Sequence, residues 1–131
     1  MKWNSRRVKA WAYTTPADLR RGFDGLSALV REELGRDPLS GDLFLFVSRN
    51  RIRAKVLQWD GTGLCLYAKR LEKGKFACLW TVEDNDAVHL TTTELSLFLE
   101  GSKLVGKIKL SPPEMTHFSL VKTGEAMIKC D

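Results

Sequence analysis

Leu43-Phe44-Leu45-Phe46-Val47, Ser48-Arg49-Asn50-Arg51 and Ile52-Arg53-Ala54-Lys55-Val56-Leu57-Gln58-Trp59 form one continuous stretch, and it decides the fold. Its first five residues are an unbroken apolar run, the pattern of a strand covered on both faces. Ser48 to Arg51 is a polar tip, with Asn50 the residue most at ease at positive φ. Beyond the tip the side chains alternate. Ile52, Ala54 and Val56 point one way, and Arg51, Arg53 and Lys55 the other. A buried face and a basic face are expected. Asp60-Gly61-Thr62-Gly63 reads as a turn, Leu64 to Arg70 as the next strand, Leu71-Glu72-Lys73-Gly74 as another turn, and Lys75 to Trp80 as a further strand. Together these make an antiparallel meander of two linked hairpins.

Upstream, Thr15-Pro16-Ala17-Asp18 carries a capping hydroxyl, a proline suited to the first helical position and a carboxylate three residues after the cap. Leu19, Phe23, Leu26, Val30 and Leu34 then draw one apolar stripe, which predicts a helix over 16–34. Gly22 and Gly25 allow two readings: a break near Gly22 with Asp24 capping a second segment, or a close approach of helix to sheet. Gly35 ends the helix. Ala10 to Tyr13 suits a short edge strand, and Ala87 to Leu90 a last one. Thr91-Thr92-Thr93-Glu94 is a second capping signature, followed by Leu95, Phe98 and Leu99, with Gly101 as the stop. The fold class expected is α+β: an antiparallel β-meander of four to six strands packed against one main helix, with a short second helix. The domain spans 1–110, with a basic arm over 1–9, and 111–131 is a C-terminal tail.

A chain of 131 residues with 44% hydrophobic content is one domain with a real core. No apolar run reaches the roughly 18–20 residues of a membrane helix, and the charged N-terminus has no apolar stretch behind it. A cytoplasmic protein is expected. Cys65, Cys78 and Cys130 are odd in number and widely spaced, which speaks against a disulfide framework and a zinc site.

The net charge of +5 is uneven. Between Arg49 and Lys75 lie eight basic and two acidic residues, an excess larger than that of the whole chain. Such a field attracts polyanions, nucleic acid first. Neighbouring cations on one strand face stand about 7 Å apart, close to the spacing of successive phosphates on a DNA strand. The expected DNA-binding surface is Arg49, Arg51, Arg53 and Lys55, extended by Lys69 and Arg70 and by Arg20 and Arg21 from the helix. Trp59, Tyr67 and Trp80 fit a core better than base stacking. Contacts to phosphates give affinity with little choice of sequence.

Catalysis finds little footing. His89 and His117 are the two imidazoles, His89 in an apolar context. There is no G-x-S-x-G elbow and no phosphate-cradling glycine loop. Asp18, Asp24, Asp42 and Asp60 are carboxylates by type only, each with a cap or turn role. The acidic Glu83-Asp84-Asn85-Asp86 reads as a solvated turn without calcium-loop spacing. No enzyme activity, metal or cofactor is expected.

Three stretches carry a family resemblance. They are Asp18-Leu19-Arg20-Arg21-Gly22-Phe23-Asp24-Gly25-Leu26, Asp37-Pro38-Leu39-Ser40-Gly41-Asp42-Leu43-Phe44-Leu45-Phe46, and Trp59-Asp60-Gly61-Thr62-Gly63-Leu64-Cys65-Leu66-Tyr67-Ala68-Lys69-Arg70-Leu71-Glu72-Lys73-Gly74. In this order the chain resembles the small accessory protein, often called Orf2 or TnpB, of the insertion-sequence family numbered sixty-six. The likeness runs from about Val8 to Gly101. It implies an accessory role in DNA transposition beside a separate, larger transposase. It supplies no catalytic residue. The partners it leads one to expect are DNA at the element's ends and the element-encoded transposase.

Overall fold

The computed structural model describes residues 8–80 and 87–101. Residues 1–7 of the 1–9 arm, the acidic 83–86 turn and the 111–131 tail lie outside the described residues. Seven elements follow in order: β1 Ala10–Tyr13, α1 Phe23–Glu32, β2 Leu43–Val47, β3 Arg53–Trp59, β4 Leu64–Arg70, β5 Ala87–Leu90 and α2 Thr92–Leu99. The strands form one sheet in the order β4-β3-β2-β1-β5. All neighbours are antiparallel except β1 and β2, which run parallel through the α1 crossover. The class is α+β. The Ala10–Tyr13 strand is interior rather than an edge, because β5 pairs along its far side.

Five consecutive buried residues make β2 the centre of the molecule. Its side chains alternate between two cores. On one face Leu43, Leu45 and Val47 join Ala10, Ala12, Ala54 and Val56 under Leu95, Phe98 and Leu99 of α2. On the other, Phe44 and Phe46 join Tyr13 and Leu57 under Leu26 and Val30 of α1. The sheet is a middle layer with a helix on each side, which is why the apolar run at its centre never breaks.

The stretch 75–80 is not a strand. Phe76, Ala77, Leu79 and Trp80 are all buried and pack with the α2-side core, Phe76 stacking on Phe98 at 5.1 Å. A strand needs alternate residues to leave for solvent or for a second layer. Four buried residues of six suit a cover over the sheet, held by Phe76 N–H donating to Arg51 O at 2.7 Å. The meander therefore has three strands in place of four, and β4 is left as a sheet edge.

The main helix is shorter than the stripe predicts. Asp18 accepts from the backbone N–H of Arg20, and Arg21 N–H donates to Asp18 O, so 18–21 closes a turn before any helix begins. Gly22 is the N-cap, without a side-chain cap, and Asp24 lies in the first helical turn. Of the two glycine readings, the boundary near Gly22 is found, but the cap is Gly22 and not Asp24, and no helical segment precedes it. A Cβ on Gly22 would meet nothing within 4 Å, and one on Gly25 would meet the Arg21 side chain rather than the sheet. Phe23, at the first helical position, is 48% exposed instead of facing the core. At the other end Gly35 takes φ 62°, and Arg36 N–H donates back to Val30 O, so the chain turns away from the helix there. The second helix follows its capping signature closely: Thr91 accepts from Glu94 N–H at 3.0 Å, and Thr91 N–H donates to the Glu94 carboxylate at 2.8 Å.

Candidate nucleic-acid interface

The first hairpin tip places the basic residues, and it does so differently from the alternation of the sequence. Asn50 is not the residue at positive φ; Arg51 is, at 61°. The Asn50 side-chain oxygen accepts from the Ser48 hydroxyl at 2.7 Å and from Ile52 N–H at 3.1 Å, which clamps 48–52 and forces the left-handed turn onto residue 51. The strand starts only at Arg53. Arg51 thus leaves the basic row. Its Nη1 donates to Phe76 O at 3.0 Å and fastens the cover segment.

Two more expected DNA contacts also serve the fold. Lys69 Nζ donates to Leu99 O at 2.7 Å, at the C-terminal end of α2, where a cation meets unpaired carbonyls. Lys55 Nζ donates to Arg21 O at 3.1 Å and holds the loop before α1 against the sheet. The face of β3 that carries Arg53 and Lys55 is also the face of Leu57, which α1 covers. So the basic residues are not on an open outer face. They stand at the end of a helix-covered one, past the start of α1.

Register gathers the rest. Arg53 is directly opposite Arg70 and Lys55 opposite Ala68, so both arginines share a face with Lys55. Through the Lys55 bond the Arg20–Arg21 loop joins the same corner. The corner holds five cations: Arg20, Arg21, Arg53, Lys55 and Arg70. Arg49 sits exposed at the hairpin tip. Arg51 and Lys69 belong to the α2 side, bonded to carbonyls there.

Two of the five have carboxylate neighbours. Arg20 grips Asp18 with Nε at 3.0 Å and Nη2 at 2.9 Å. That guanidinium, with the Arg20 N–H, holds the Asp18 carboxyl down at about 2, and the carboxylate raises Arg20 in return. Arg70 Nε lies 3.1 Å from Glu72, both side chains largely exposed, so the pair is weak and exchangeable. The Arg53 side chain has no salt bridge among the described residues.

Sequence reasoning missed Phe23. It follows the Arg20–Arg21 loop directly and is half exposed, and its place in the apolar stripe hid it. Tyr67 is 37% exposed, Trp59 half-buried and Trp80 buried. At the far end of the α1 face, Trp11 carries the Arg36 guanidinium 3.3 Å above its ring, packs on His89 at 5.0 Å and donates from Nε1 to Asp42 at 3.2 Å. His89 is therefore a packing partner of Trp11.

The carboxylates are spent locally. Asp42 accepts from Trp11 and from Lys9 N–H. Asp60 Oδ1 accepts from Thr62 N–H, Gly63 N–H and the Thr62 hydroxyl. Among the described residues no three His, Cys, Asp or Glu gather as a metal site would require. Cys65 is a free thiol beside Asp60. No helix among the described residues is long and apolar enough to cross a membrane.

Comparison with known proteins adds a lineage. A family model described as "IS66 Orf2 like protein" matches residues 8–107. Two proteins of Sinorhizobium fredii, both described as uncharacterized, are similar to the chain. One, y4jC, is 39% identical over 97 residues, covering 74% of this chain and 81% of its own. The other, y4hO, is 37% identical over 98 residues, covering 75% and 84%. No solved structure matches.

Proposed function

The chain belongs to the IS66 Orf2-like family, accessory proteins of transposition, and from that premise we propose that it is a non-enzymatic accessory subunit that holds DNA at its basic corner. Arg53, Arg70 and Lys55 on one sheet face, with Arg20 and Arg21 from the adjoining loop, form the contact. The observation that supports this reading is the Arg53–Arg70 pairing. Two guanidiniums directly across an antiparallel pair repel one another, and an arrangement that costs stability is understandable where an anion fills the gap. A phosphate accepts from two such forks at once. Element-end DNA is the polyanion that a transposition accessory meets.

Fluorescence anisotropy of a labelled terminal-repeat duplex against a scrambled one, across a salt series, tests it. A corner of this size predicts a log–log salt slope of roughly −3 to −5. Absence of binding at about 50–100 mM salt and micromolar protein sinks the reading, since ordinary non-specific binders are visible there.

A second reading is docking on the transposase without DNA contact. Phe23, 48% exposed beside the Arg20–Arg21 loop, favours it, because half-exposed aromatics next to arginines are typical anchors of protein interfaces. Co-purification with the transposase, lost in Phe23→Ala and kept in Arg53→Glu, would select this reading.

A further inference from the structure

Among the described residues β4 is an unpaired sheet edge. No strand among the described residues pairs along its outer side, because 75–80 left the sheet to cover the α2-side core. Hydrogen bonds fix which residues face outward. Leu71 N–H donates to Ile52 O, and Ser48 N–H to Arg53 O. Even-numbered residues of β3 therefore bond toward β4, and odd-numbered ones toward β2. With Ala54 opposite Lys69 and Val56 opposite Tyr67, the odd residues of β4 face β3. Leu64, Leu66, Ala68 and Arg70 turn their N–H and C=O groups outward.

We propose that this edge pairs with the same edge of a second copy, antiparallel, about a two-fold axis at Tyr67. A seven-residue strand with outward residues at 64, 66, 68 and 70 has one register that uses all of them. Leu64 then pairs with Arg70 of the second copy, Leu66 with Ala68, and the reverse, giving four doubly hydrogen-bonded pairs. Moving the axis to Leu66 or Ala68 strands at least one outward residue at each end.

The side chains fit the same register. Lys69 and Arg70 would ordinarily guard an edge against pairing. Here Arg70 meets Leu64, and Lys69 meets Cys65, whose thiol lies 3.4 Å from the Asp60 carboxylate. No like charges oppose each other, and Lys69 keeps its own-chain bond to Leu99 O. An axis at Lys69 would set the two lysines face to face. The contact is isologous, so it closes as a dimer rather than growing into a fibre. The axis is perpendicular to the sheet, so both copies present their α1 side in the same direction. Strand spacings place the two Arg53–Arg70 pairs about 20–25 Å apart.

The full chain is tested by sedimentation velocity up to about 100 μM, with two variants. Ala68→Pro removes an outward N–H and no β3–β4 bond; it should shift the dimer to monomer while keeping the far-UV circular dichroism of the parent. Tyr67→Cys places two thiols across a non-hydrogen-bonded pair, with Cα atoms about 4.5 Å apart and within disulfide reach. Mild oxidation should give a covalent dimer linked through the introduced thiols, identified by mass spectrometry and absent from the parent. Should Ala68→Pro fail to fold, the Tyr67→Cys link decides alone. A monomeric parent overturns the proposal, including one whose edge captures an acidic peptide instead. So does a dimer without the Tyr67→Cys link. DNA binding by a monomer would leave the basic-corner reading standing, so the two can fail separately.

Discussion

Arg53 and Arg70 stand directly opposite each other on β3 and β4, in the closer, non-hydrogen-bonded kind of antiparallel pair. Two like charges in that position lower stability by a few tenths of a kcal/mol to about 1 kcal/mol, and salt screens the effect. Arg53→Gln should therefore raise the urea midpoint slightly in dilute buffer, with the gain gone near 1 M salt. The same variant should weaken DNA binding and make the salt slope shallower by roughly 1. Opposite signs on stability and affinity separate a binding arginine from a structural one. A loss in both would assign Arg53 to the fold.

Lys69 gives the converse case. Its ammonium caps the Leu99 carbonyl at 2.7 Å, on the side of the sheet away from the basic corner. Lys69→Met keeps the stem and removes the charge. It should cost about 0.5–1.5 kcal/mol in chemical denaturation, and it should leave DNA affinity and salt slope unchanged within error. An affinity loss as large as that of Arg53→Gln would return Lys69 to the contact surface.

These two residues show where sequence reading reaches and where it stops. The apolar run at 43–47 and the Thr91–Glu94 box translate directly into β2 and α2, because each is a local rule with one outcome. Alternation at 51–56 separates two faces. It carries no information on which face a helix covers, and α1 covers the one with Arg53 and Lys55 on it. The long stripe overran its helix because the Asp18 carboxylate engages Arg20 first, a competition that periodicity does not register. The strand expected at 75–80 failed because the neighbours Phe76 and Ala77, and Leu79 and Trp80, all enter the α2-side core, where a strand would split them between two faces. The basic corner was legible as composition. Its membership depended on register, which splits Arg51 and Lys69 from the rest.

Asp60 should make the β3–β4 turn sensitive to acid. N–H groups of Thr62 and Gly63 converge on its carboxylate and hold it at about 2, below its ordinary 3.8. A carboxyl whose folded value is depressed contributes stability that is fully present above the unfolded value. That stability fades as pH falls through the folded one. The contribution should thus be intact above about pH 4 and be lost toward pH 2. Asp60→Asn should lower the denaturation midpoint at pH 6, and the gap to the parent should close as pH drops through that window. Asp18, held low mainly by Arg20, titrates over the same range, so the comparison is made against the Asp60 variant rather than from the parent alone. A gap that stays constant down to pH 2 would count against the turn bonds as its source.

Arg51 carries two opposed terms that a pair of variants separates. Its backbone sits at φ 61°, a region costing a side-chain-bearing residue roughly 1–2 kcal/mol. Its guanidinium returns part of that cost by donating to Phe76 O at 3.0 Å and tying the cover segment to the hairpin tip. Arg51→Ala keeps the backbone penalty and loses the bond, so it should destabilise by about 1–2 kcal/mol. Arg51→Gly loses the same bond but escapes the penalty, and glycine adopts that conformation freely. It should be more stable than Arg51→Ala by about 1 kcal/mol, close to the parent. Both should bind DNA as the parent does, because the side chain lies on the α2 side of the sheet. Equal destabilisation by the two would mean that the turn can relax out of the left-handed region when residue 51 is shortened. The clamp of Asn50 on Ser48 and Ile52 is the reason to expect that it does not, and Asn50→Ala should then erase the difference between the two variants.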